Sequence, residues 1–198
     1  MIITISGKPG SGKSTIGKRL AEALGYERHY MGGLRRKMAA ERGMTLAEFN
    51  KLGESEEFTD RDVDEEAARL GATTDNFVIE GRTMFKFIPH GIHIFLDVEP
   101  EEGARRILQH LKEDTDNSRN EDKDLNTVED VLRSTHERMK SDQLRYEKYY
   151  NLDVFDPKHY DLVVDTTHLA PDQVFAKIIS FLDEKKDKSV AENKGKTS

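Results

Sequence analysis

Gly7, Gly12, Lys13 and Ser14 stand in the order G-x-x-x-x-G-K-S within "GKPGSGKS", residues 7–14. Glycines let a backbone curl tightly, so that several N–H groups converge on one anion, while a lysine and a hydroxyl complete a set suited to phosphate oxygens and Mg2+. The apolar run "MIITIS" precedes the loop and "TIGKRLAEAL" follows it. The expected setting is strand, loop and helix, with the positive end of the helix aimed at the anion. Gly7, Lys8, Pro9, Gly10, Ser11, Gly12, Lys13, Ser14 and Thr15 are therefore candidate ATP-binding residues. Lys13 would neutralise the β- and γ-phosphates and Ser14 would ligate Mg2+.

Such a loop serves switch GTPases, transporters, motors and small kinases alike. The guanine-reading pattern N-K-x-D is absent, since "NKLG" at 50–53 and "NKGK" at 194–197 lack the aspartate. A small kinase needs a second, cationic pocket for the acceptor and a lid that excludes water. Arg36 follows "GGL", and Arg82 follows the strand pattern "FVIEG" at the carboxyl end where parallel sheets bind ligands. Arg138, Asp142 and Arg145 are spaced i, i+4, i+7 and, at about 100° per residue, share one helix face. Val131, Thr135, Met139 and Tyr146 project into nearly the same sector, so these charges are expected to lean inward over a cavity; the alternative is a partly exposed salt-bridge ladder. The seven histidines are scattered without metal-ligand spacing and read as structural or solvated.

The elements that must position these residues follow from periodicity. "IITIS" (2–6), "FVIE" (77–80), "IHIFLD" (92–97) and "DLVVD" (161–165) read as buried strands. Helices are expected over 13–24, from Pro100 to about Lys112, from Thr127 (a capping-box pattern with Asp130) to about Tyr150, and from Pro171. This alternation predicts a three-layer α/β domain of the P-loop NTPase kind with a mostly parallel sheet. Residues 28–70 carry only helical patterns and are expected to form a flap beside the sheet that binds the acceptor. Residues 113–126, "EDTDNSRNEDKDLN", are charged and coreless and are expected to form a lid. The domain should thus cover 1–183, with 184–198 a disordered tail.

Composition limits the function further. With 198 residues the chain suits one core, and 31 lysines and arginines against 38 acids give a net charge of −7, which argues against general adhesion to nucleic acid or an anionic membrane. Zero cysteines exclude a disulfide framework and a thiolate nucleophile. The start has no secretory pattern and no apolar run is long enough to span a bilayer, so a cytoplasmic, monomeric protein is expected.

The segments "GKPGSGKSTIGKRLAEALG", "MGGLRRKMAAERGMTLAEFNKL", "FVIEGR", "RNE" (119–121), "ERMKSDQLRYEKYYN" and "YDLVVDTT" resemble the nucleoside monophosphate kinases, and most closely the short cytidylate kinases typical of archaea. The resemblance covers about residues 1–183. It implies transfer of the γ-phosphoryl group of ATP to CMP or dCMP with Mg2+. Arg36 and Arg82 look like the acceptor-phosphate arginines, Arg138 and Asp142 like the pair near the acceptor's sugar, Arg145 like the arginine that meets the transferring phosphates, and Arg119 like a residue that closes over ATP. Glu80 looks like the carboxylate linked to Mg2+ through water, longer than the aspartate of many relatives. Two departures bear on the acceptor site: Gln143 stands where an arginine is common, and Thr83 where longer bacterial enzymes carry an aspartate associated with the base. Another small kinase, acting on AMP or a non-nucleotide alcohol, and a non-catalytic nucleotide-binding protein remain the alternative readings.

Overall fold

The computed structural model describes residues 1–113 and 125–195, with side chains as far as residue 187. Arg119 and most of the expected lid lie outside the described residues.

The apolar run at the start of the chain forms β1 (Ile2–Gly7), buried along its whole length at the centre of the sheet. It pairs in parallel with β3 (Phe77–Glu80) on one side and β4 (Ile92–Asp97) on the other. β2 (Glu27–Tyr30) and β5 (Leu162–Asp165) are the edges, giving the order β2-β3-β1-β4-β5 with every pair parallel. Side chains alternate across the strands. Ile3, Ile5 and Val78 pack against α1 (Lys13–Leu24) and α8 (Pro171–Gly195). Ile2, Phe77 and Ile79 face the opposite layer of α2 (Met31–Ala40), α3 (Leu46–Gly53), α4 (Phe58–Thr73) and the single turn α5 (Met84–Phe87). A third cluster joins Ala104 and Ile107 of α6 (Pro100–Glu113) to Val131 of α7 (Val128–Tyr150). The predicted capping box is present: the Thr127 hydroxyl accepts from the Asp130 amide and the Asp130 carboxylate accepts from the Thr127 amide.

Two expectations are corrected. The segment 28–70 does not hold helices alone, because its first residues belong to β2. "ERHY" has no apolar run, and an edge strand that is half open to water needs none. The tail is helical to Gly195 rather than disordered beyond residue 184. Its Glu, Lys and Ala residues have high helix propensity and extend a helix already nucleated by the packing of Val174, Ile178 and Leu182.

Candidate active site

At the carboxyl ends of the strands lies a cavity of about 930 Å³. Its first wall is the loop between β1 and α1, with Pro9, Gly10, Ser11, Gly12, Lys13, Ser14 and Thr15 all lining it. Gly10 has φ +76, and a Cβ there would stand 2.3 Å from the Gly103 carbonyl oxygen, so the loop can sit this close to α6 only with glycine. Gly12 precedes α1 without a side-chain cap, leaving the helix's first N–H groups open to an anion. The Lys13 ammonium reaches back to the carbonyls of Gly7 (2.9 Å) and Lys8 (2.6 Å). Gly7 and Lys8 stand behind the lining; Lys8 is anchored to Asp97 at 2.6 Å.

Glu80 closes the floor. It is 2% exposed, its Oε2 accepts from the Ser14 hydroxyl at 3.1 Å, and its Oε1 holds Arg28 at 2.6–2.7 Å. Gly17 makes this placement possible, since a Cβ there would stand 2.5 Å from Glu80 Oε1.

The second wall comes from α2, α4, the turn after β3, and α7. Arg36, Arg82 and Arg138 line it together. Arg36 donates to the Tyr30 hydroxyl and to the Gly32 carbonyl at 3.2 Å. Arg82 is held through one guanidinium nitrogen by Asp142, while its Nε is buried and has no hydrogen-bond partner among the described residues.

Behind this wall the structure departs from the sequence-based assignment of Arg145. Its side chain is wholly enclosed, with one guanidinium nitrogen on Asp60 and another on Asp142, and it does not line the cavity. The helix-face spacing did place Arg138, Asp142 and Arg145 inward. The flap packs over the end of that face, however, and supplies Asp60, so Arg145 is consumed by ion pairing. Asp60 also holds Arg35 at 2.9 Å, whose Nε donates to Asn50 at 2.9 Å. The result is a buried lattice, Arg35–Asp60–Arg145–Asp142–Arg82, running from α2 through α4 and α7 to the end of β3. Burial alone would raise the Asp142 carboxyl, yet Arg82, Arg145, Arg138 and Arg35 together hold it below the ordinary carboxylate value. Burial likewise opposes the charge on Arg145, and Asp142 and Asp60 outweigh it. Asp142 is thus a residue that positions Arg82, not one that faces the cavity.

Asp64 and Thr83 also line the second wall, and Asp64 was missed in the sequence. The Asp64 carboxylate is 4% exposed and accepts from the hydroxyls of Thr83 (2.5 Å) and Tyr150 (2.7 Å). A signal existed: Asp60 and Asp64 fall in the same stripe of α4 as the buried Val63, Ala67 and Leu70. Arg106 was missed as well. It lies at the loop end of the cavity and donates to the Thr166 and Thr167 carbonyls at 2.8 and 3.1 Å; within the charged run "EEGARR" nothing distinguishes it.

Comparison with known proteins agrees with this geometry. In fold the chain is similar to the shikimate kinase of Acinetobacter baumannii, with a TM-score of 0.57 and 20% identity over 93% of this chain and 94% of that one. In sequence it is 38% identical over 182 residues to the cytidylate kinase of Natronomonas pharaonis, covering 91% of this chain and 88% of that protein. It is 35% identical over 184 residues to the cytidylate kinase of Pyrococcus furiosus, covering 92% and 88%. Residues 2–168 match the cytidylate kinase-like family, and it is to this family of kinases that the chain belongs.

Proposed function

We propose that the protein transfers the γ-phosphoryl group of ATP to CMP or dCMP, giving ADP and the corresponding diphosphate. The observation that carries this reading is the joining, in one cavity, of an uncapped phosphate loop with Arg36, Arg82 and Arg138 on the facing wall. Two phosphate-bearing substrates can meet there end to end. Relatives named cytidylate kinase supply the identity of the acceptor.

The loop amides hold the donor's phosphates, and Lys13 exchanges the carbonyls of Gly7 and Lys8 for phosphate oxygens. Arg36 and Arg82, which line the facing wall, grip the acceptor phosphate. Arg138 reaches the acceptor's sugar, and Asp142 keeps Arg82 in place. The Ser14 hydroxyl and the Glu80 carboxylate are hard oxygen donors side by side, and they suit Mg2+ that keeps several waters. Mg2+ bound there would neutralise charge on the transferring phosphate. No side-chain nucleophile is needed, since phosphoryl transfer depends on alignment and charge neutralisation.

A coupled assay of ADP release across CMP, dCMP, UMP, AMP and shikimate tests the reading. CMP or dCMP should give the highest kcat/KM. Arg82→Ala should lower that value on the order of 10²-fold or more, with ATP binding hardly changed. Preference for AMP or shikimate would refute the acceptor assignment, and a variant that loses ATP while keeping CMP would show that Arg82 serves the other substrate.

A further inference from the structure

Three aspartates are buried around the second wall, and they are not used alike. Asp60 and Asp142 each hold two arginines. Asp64 makes no ion pair among the described residues; its oxygens hold only the hydroxyls of Thr83 and Tyr150. A buried carboxylate without a cation is costly, and two neutral donors leave about half of its acceptor directions unused. Those directions belong to a side chain that lines the cavity.

The surroundings of Asp64 differ from the phosphate-gripping part of the wall. Val63 precedes it on α4 and Met84 follows Thr83, and both line the cavity, so apolar surface flanks a single polar pair. This combination suits a flat heteroaromatic ring whose edge must be read. Thr83 directly follows Arg82, which puts the pair beside the arginine proposed to hold the acceptor phosphate.

We infer that Asp64, oriented by Thr83 and Tyr150, reads the acceptor base by accepting a hydrogen bond from its exocyclic amino group, and so selects 4-aminopyrimidine over 4-oxopyrimidine nucleotides. An ionised carboxylate is an acceptor only, whereas the 4-position of cytosine carries an N–H donor and that of uracil an oxygen. With uracil, two acceptors would face each other in a dry wall, and the carboxylate would stay unsatisfied. This inference rests on the CMP reading above and adds the residue that enforces it.

The test measures kcat/KM for CMP, UMP and the 5′-monophosphate of pyrimidin-2-one riboside, which lacks any 4-substituent, at saturating ATP. The native enzyme should disfavour both UMP and the analogue by about 10- to 10²-fold, the worth of one hydrogen bond to a charged group. Asp64→Asn should lose most of that discrimination: CMP falls while UMP holds or rises, and the KM for ATP stays the same. A purely structural aspartate would instead lower all three acceptors together. An unchanged CMP-to-UMP ratio in a folded Asp64→Asn protein overturns the inference. So does a native enzyme that treats CMP and the analogue alike, a measurement that does not depend on the variant folding. Absence of any CMP turnover by the native enzyme would remove the underlying CMP reading as well, and so separates the two failures.

Discussion

Asp64 also carries a stability signature. Burial pushes its carboxyl up from the ordinary 3.8 to about 6, with neighbouring Asp60 adding to the rise and Thr83, Tyr150 and Arg35 opposing it. The folded protein therefore holds this proton more tightly than the unfolded chain. Its contribution to stability is full below about pH 4 and is lost as pH rises through about 6, a penalty on the order of 3 kcal/mol once the group is ionised. Asp64→Asn should make the protein more resistant to urea at pH 7.5, and the gain should shrink as pH approaches 4; an equal gain at both pH values would show that packing, not ionisation, is responsible. Gly17 offers a second residue-scale test. A methyl there collides with Glu80, so Gly17→Ala should displace the carboxylate from Ser14 and raise the Mg2+ concentration needed for half-maximal activity severalfold. An unaltered Mg2+ requirement would detach Glu80 from the metal.

At the scale of elements, the arginine–carboxylate lattice fastens the flap to α7 and to the end of β3. Asp60→Ala would leave the buried Arg35 without a carboxylate and Arg145 with Asp142 alone, and should cost about 3–5 kcal/mol in urea unfolding. The exposed pair between Glu66 and Arg69 on the same helix should be dispensable. Equal effects from the two substitutions would mean the lattice adds nothing beyond solvated charge. The phosphate loop, its flanking strand and helix, and the face shared by Arg138, Asp142 and Arg145 were legible because their signals are local: glycine spacing, a buried apolar run, and helical period. What that face meets was not legible. Arg145 could be placed inward, but only the folded flap shows that Asp60 is already there. β2 escaped for the opposite reason, since "ERHY" is specified by the neighbouring β3 and not by its own side chains.

For the whole molecule, every strand pairing is parallel and the order β2-β3-β1-β4-β5 puts the first strand in the middle. Among the described residues no helix is long and apolar enough to cross a membrane. The two layers of helices cover the central strands β1, β3 and β4 on both faces, as parallel pairing requires, and leave the edge strands β2 and β5 partly open to water. The central place of β1 has a consequence during synthesis. Its partners end at residues 80 and 97, so its backbone groups can find no first ladder until residue 80 has been made and no second one until residue 97. Translation adds about 5–20 residues each second. The apolar segment "IITIS" thus waits for about 5–20 s before β4 is available, exposed to chaperones and to the same segment on neighbouring nascent chains.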